Sequence, residues 1–145
     1  MKNAVVVIPT FNEKGCIEEL VRRLFQETIP GIRDWKVSVL IVDGNSPDGT
    51  ARVVRELQNR FECLWLFVEE RKEGIGAAYF KGFKYALSEL SADVLIEFDG
   101  DLQHPPEMIP CLLEEIDNDA DLVLGSRIIQ GGSWYPESSL SRRML

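Results

Sequence analysis

Apolar residues along this chain alternate between two periods. Ala4 to Ile8 is an unbroken, mostly β-branched run, the pattern of a strand buried on both faces. Ile17, Leu20, Val21, Leu24 and Phe25 then recur at helical spacing, with Asn12 ahead of them as the expected N-cap. Val37 to Val42 predicts a second buried strand, and Val53, Val54, Leu57 and Phe61 predict a second helix. Cys63 to Val68 predicts a third strand, followed by a helical stripe through Ile75, Ala78, Tyr79, Gly82, Phe83, Ala86, Leu87 and Leu90. Val94 to Phe98 predicts a fourth strand, closed by Asp99. Met108, Ile109, Leu112, Leu113 and Ile116 predict a fourth helix, with Pro105 and Pro106 near its first turn, where a missing N–H is harmless. Asp121 to Leu124 predicts a fifth strand.

Strand and helix in regular alternation imply an α/β domain, a mainly parallel sheet with helices on both faces and right-handed crossovers. Such sheets bind ligands beyond the carboxyl ends of their strands. The sequence bears on that rule directly. PTFNE follows the first strand, DGNSPDGT the second, RKEGIG the third, DGDLQHPPE the fourth and GSR the fifth. Every polar, acidic or glycine-rich cluster therefore falls on one edge, and that edge is the expected site. From Ile128 the periodicity stops, and two glycines, four serines, two aromatics and an arginine pair follow without sustained pattern. Residues 1–128 read as the core and 129–145 as a mobile loop, cut short before another element completes.

Composition narrows the function. Acidic residues outnumber basic ones 24 to 16, for a formal charge of −8. That argues against a nucleic-acid binder, whose target demands a basic face, and suits carboxylates that hold a cation against phosphates. The three cysteines, Cys16, Cys63 and Cys111, form no CxxC pair and read as small buried hydrophobes of a reducing compartment. The apolar run before Pro9 is too short for a signal peptide or membrane span, and the expected location is the cytoplasm.

Asp99-Gly100-Asp101 closes a buried strand on the site edge, and Gly100 lets the backbone turn so that both carboxylates meet one ion. Hard cations such as Mg²⁺ or Mn²⁺ take such oxygen ligands, and Gln103 adds an amide oxygen. His104, the single histidine, reads as an orienting or capping residue. Asp43 ends an apolar strand, where a carboxylate suits hydrogen bonds to a base or ribose, whereas Ser46 or Asp48 reads as a helix cap. Pro9, Phe11 and Glu13 fit a plain strand-to-helix turn by local physics alone. Arg71, Lys72 and Gly74 form a basic, flexible segment feeding a helix N-terminus, suited to a pyrophosphate. The dinucleotide fingerprint and the P-loop are both missing.

Taken together, VIPTFNE, LIVDGNSPDGT, RKEGIGAA, FDGDLQHPPE and GSR resemble the family 2 glycosyltransferases of GT-A fold, a Rossmann-like architecture. SPDGT and DLQHPPE resemble most closely their dolichyl-phosphate mannose synthase branch. The resemblance implies inverting transfer of a hexose, mannose first, from a nucleotide diphosphate sugar (GDP-mannose or UDP-glucose) to a polyprenyl phosphate. It implies that Pro9, Phe11, Glu13 and Asp43 surround the base and ribose, that Asp99, Asp101 and Gln103 hold Mg²⁺ or Mn²⁺ on the diphosphate, and that Arg127 lies near the sugar or phosphates. Arg142 or Arg143 would meet the acceptor phosphate.

Two features depart from that pattern. The position after Asp43, usually a second acid, is Gly44. The GG…W…RR region, which in that branch leads into an acceptor-side or membrane-binding segment, stops at Leu145. Peripheral contact with the cytosolic membrane face is expected through that further segment. Two other readings compete: a donor-binding but catalytically incomplete fragment, and a nucleotidyltransferase. The latter is disfavoured because PTFNE stands where a basic glycine-rich loop would follow the first strand.

Overall fold

The computed structural model describes residues 1–126. Met1–Glu107 form one compact unit, and the chain from Met108 forms a second. Four parallel strands, β1 (Lys2–Thr10), β2 (Trp35–Asp43), β3 (Leu64–Val68) and β4 (Val94–Glu97), make one sheet in the order β3-β2-β1-β4. The helices are α1 (Ile17–Arg23), α2 (Thr50–Gln58), α3 (Ile75–Glu89) and α4 (Ile109–Asp117). The α1 stripe continues past its end, where Leu24–Thr28 widens into a π-helical turn. A 3₁₀ turn at Pro106–Met108 leads into α4, which buries Ile109 and Leu113, four residues apart on one side.

The first three strands step outward in one direction, and β4 then pairs on the far side of β1. The order therefore reverses between β1 and β4, which is where a sheet of this kind opens a crevice. Both central strands are buried along almost their whole length, with Ala4 to Ile8 and Val39 to Val42 all at 0% exposure. Parallel strands need that, because helices cover both their faces. Val5, Val7, Leu40 and Val42 pack with Ala78 and Ala86 of α3. Gly82 makes this packing possible: a Cβ there would lie 2.5 Å from Val7 Cγ1 and 2.9 Å from Val42 Cγ2.

Some expectations need correction. Asp121 to Leu124 forms no strand, and Leu122 and Leu124 are exposed. A short apolar run becomes a strand only when a neighbour accepts its backbone hydrogen bonds, which periodicity does not report. Asn12 does not cap α1. It adopts a left-handed conformation (φ 60°) and donates its N–H to Ser46 Oγ, while the α1 turn starts with Cys16 and Ile17 donating to Glu13 O. Cys111 is exposed and Cys16 and Cys63 half-buried, so none is a plain core hydrophobe.

Candidate functional site

The carboxyl edge is built from the last rungs of the sheet. Gly44 N–H donates to Thr10 O (2.9 Å) and Glu69 N–H donates to Asp43 O (2.8 Å), so the ladders of β1, β2 and β3 run one residue into the loops. Sequence reasoning sets Asp43 against a base or ribose; the structure closes it inside the protein. It is fully buried, and its oxygens accept hydrogen bonds from Thr10 Oγ1 (2.9 Å), Ser46 Oγ (2.7 Å) and Ser46 N–H (2.8 Å). A buried carboxylate needs such donors, and three satisfy it. Asp43 therefore clamps the loop after β2 to the end of β1. Asp48 does the equivalent for α2, accepting from Thr50 N–H and Oγ1 and from Lys14 N–H. Partial desolvation opposes its charge, yet these hydrogen bonds hold the Asp48 carboxyl below its ordinary value.

A cavity of about 230 Å³ lies along this edge in the first unit. Pro9, Phe11, Glu13 and Gly74 line it, and so do Thr10, Gly44, Glu69 and Lys72. The Lys72 ammonium stands 3.8 Å from the Phe11 ring centroid, a cation–π contact. Gly74 starts α3 at φ 105°, ψ 163°, a conformation essentially reserved for glycine. Glu69 is buried at 3% exposure, and Lys81 of α3 donates to its Oε1 (2.7 Å) and to Glu73 Oε2 (2.8 Å). These bonds raise the Lys81 pKa, and Lys81 in turn lowers that of Glu73. The RKEG loop is thereby tied to the helix it feeds.

The acidic loop abuts the same wall. A Cβ on Gly100 would lie 3.2 Å from Thr10 Cγ2 and 3.3 Å from Pro9 O, so the loop after β4 presses on the end of β1, at the point where strand order reverses. Cys16 Sγ reaches Glu13 Oε2 (3.0 Å) and Gly100 O (3.3 Å), linking the two loops. Desolvation and the neighbouring Glu13 push its thiol up to about 12. Asp99 is half-buried and Asp101 exposed. His104 orients Asp99 as expected: its Nδ1 accepts the Asp99 N–H (3.2 Å) and its Nε2 lies 3.4 Å from Asp99 Oδ2. Tyr79 Oη donates to Phe98 O (3.2 Å) and lies 3.4 Å from Asp99 Oδ1; burial, then the charge of Asp99, raises its pKa. Gln103 N–H donates to Asp101 Oδ1 (3.0 Å). Among the described residues no cluster of three or more His, Cys, Asp or Glu side chains forms a ready metal cage. Arg127, Arg142 and Arg143 lie outside the described residues.

Glu69, Lys81 and Thr10 are absent from the residues read as functional in the sequence, whereas Lys72 is read there as part of the basic segment before α3. Glu69 carries the signal that singled out Asp43, an acid closing an apolar strand on the site edge.

Residues 5–144 match the family model described as Glycosyl transferase family 2. The chain belongs to this family. A dolichol-phosphate mannosyltransferase of Pyrococcus furiosus is 38% identical over 127 residues, 88% of this chain and 34% of that protein. The polyprenol monophosphomannose synthase of Mycolicibacterium smegmatis is 36% identical over 133 residues, 91% of this chain and 48% of its own length. The chain thus spans between a third and a half of the length of these family 2 relatives. Two solved structures share the fold. Mannosyltransferase PcManGT from Pyrobaculum calidifontis, in complex with GDP-Man and Mn²⁺, aligns with TM-score 0.63 at 23% identity, over 77% of this chain and 31% of that one. S. aureus TarS in complex with UDP aligns with TM-score 0.59 at 24% identity, over 81% and 32%. The family 2 assignment and the GT-A fold thus agree. No helix among the described residues is long and apolar enough to cross a membrane.

Proposed function

We propose that this chain is the donor-binding part of an inverting glycosyltransferase that moves a hexose, mannose first, from a nucleotide diphosphate sugar to a polyprenyl phosphate. One observation carries the reading: the acidic Asp99–Asp101 loop presses on the same β1 wall, Pro9 and Thr10, that lines the pocket. A nucleotide in the pocket would extend its diphosphate toward that loop. The relatives named for transfer to dolichol phosphate and polyprenol support the acceptor class.

The oxygen donors of Asp99, Asp101 and Gln103 suit Mg²⁺ or Mn²⁺, hard ions that keep positions open for phosphate oxygens and water. Both carboxylates border solvent and no thiolate or free imidazole competes, since His104 is engaged with Asp99. When bound, such an ion neutralises charge on the departing nucleoside diphosphate. The chain's own residues do the rest. Gly74 and Lys72 place a helix N-terminus and an ammonium at the pocket, where both favour an anion. His104 and Tyr79 hold the Asp99 side chain in one orientation. The acceptor phosphate is largely ionised near neutral pH, since a second phosphate pKa is about 6, so no strong general base is needed. Positioning and electrostatics then dominate the rate. Arg127 and Arg142 are proposed for the sugar-phosphate and acceptor-phosphate contacts.

Transfer of labelled mannose from GDP-mannose to a polyprenyl phosphate, with Mn²⁺ present, tests this reading. Activity that falls at least a hundred-fold in Asp101→Ala, the order of loss typical when a charge-stabilising group is removed, supports it. Undiminished transfer by that variant overturns it.

A further inference from the structure

Glu69 takes no part in the proposed reaction, yet it is the one buried acid lining the pocket. Its side chain is 1% exposed. Lys81 occupies Oε1, and no donor among the described residues pairs with Oε2. That second oxygen lies 3.5 Å from where a Cβ on Gly44 would stand, and Gly44 also lines the pocket. The side chain keeps a sliver of exposure at the pocket wall, so Oε2 is open to a ligand that brings a donor, and a hydrogen bond to a charged acceptor is among the strong ones. Gly44 keeps the approach open. A side chain there would meet Phe11 Cδ2 at 3.3 Å and Lys72 Cβ at 3.4 Å before it met Glu69. Asp43 offers no alternative, because Thr10 and Ser46 already donate to its oxygens.

We propose that Glu69 is the base-selecting residue of the pocket and that its free oxygen accepts the N1–H of a guanine. The proposal rests on the pocket being the donor-nucleotide site. A carboxylate is an acceptor only. Guanine presents two adjacent donors on its pairing edge, N1–H and the N2 amino group, which match it. Uracil presents one N–H between two carbonyls that the carboxylate repels, and adenine presents an acceptor at N1. Lys81 neutralises and orients Glu69 from the far oxygen, so the near oxygen reads the base. A site of this construction discriminates mainly by leaving its own buried group unpaired when the wrong base enters.

Calorimetric titration of the full chain with GDP, N1-methyl-GDP and UDP, in the presence of Mn²⁺, tests the proposal. GDP is expected to bind roughly 10- to 100-fold more tightly than either of the others, the range of one hydrogen bond to a charged group. In Glu69→Gln, Lys81 retains the amide oxygen and the NH₂ donor turns to the pocket, so the GDP preference is lost while UDP binding is kept. The methylated ligand tests the same contact in unaltered protein, whatever the stability of the variant. Equal binding of GDP and N1-methyl-GDP, tighter binding of UDP, or an undiminished GDP preference in folded Glu69→Gln each overturns the assignment while leaving the nucleotide site intact. Binding of none of the three by folded protein overturns the site reading itself, and the assignment with it.

Discussion

At the scale of single residues, two acids that close neighbouring strands take opposite roles. Asp43 and Glu69 both follow apolar runs onto the same edge, and only the folded protein distinguishes them. The sequence marks an acid at each strand end but not which oxygens its own neighbours will claim. Thr10 and Ser46 claim both of Asp43's, although they are 33 and three residues away, whereas Lys81 reaches only one of Glu69's. Asp43→Ala should therefore act on stability. It strips three hydrogen bonds and leaves buried donors unpaired, a loss of about 3 kcal/mol. That corresponds to roughly 10 °C in thermal melting for a chain of this size. Circular dichroism melts check it, and an unchanged midpoint would return Asp43 to the set of ligand-facing residues.

At the scale of elements, the strands and helices were legible because buried parallel strands and amphipathic helices have different apolar periods. Four strands and four helices stand within a few residues of where those periods place them. What the periods miss is partnership: Asp121 to Leu124 has the right residues and makes no ladder. They also miss close approach. Gly82 sits in the α3 stripe as one more small residue, yet it sets the distance of α3 from β1 and β2. Gly82→Ala gains helix propensity of up to about 1 kcal/mol but drives a methyl into Val7 and Val42. Overpacking of that kind costs about 1–3 kcal/mol, so a net loss of 1–2 kcal/mol is expected in chemical denaturation. A more stable variant would mean that α3 moves away freely. The α2 start makes a pH-dependent case. The Asp48 carboxyl is held below its ordinary value of 3.8 by hydrogen bonds from Thr50 and the Lys14 amide. The folded state thus favours the charged form, and that stabilisation is complete above the unfolded pKa and fades as pH falls through the folded one. Asp48→Ala should cost about 1 kcal/mol at pH 7 and progressively less below about pH 4. Melts of both proteins at pH 7 and pH 3 check this, and a gap that widens in acid would refute it.

At the scale of the whole molecule, charge and topology bear on the same question. The chain carries a formal charge of −8, and a nucleoside diphosphate is itself an anion, so the long-range field opposes binding. The order β3-β2-β1-β4 sets the Asp99–Asp101 loop beside the pocket wall, which concentrates that negative charge where the diphosphate would lie. Such an arrangement binds its ligand only if a cation lies between the two sets of oxygens, as the oxygen-only donor set suggests. The end proposed for the base is different, since the pocket residues assigned to it, Phe11, Gly44 and Glu69, would meet an uncharged ring without any need for an ion. The two ends should therefore separate when divalent metal is removed. With EDTA in place of Mn²⁺, the affinity for GDP should fall by roughly ten-fold or more, a loss that reflects uncompensated phosphate charge. The affinity for guanosine, which lacks the phosphates, should stay the same. Calorimetry of both ligands under both conditions decides the matter. Equal loss for nucleoside and nucleotide would make the ion a structural brace of the pocket, and no loss for either would show that the acidic loop holds no cation.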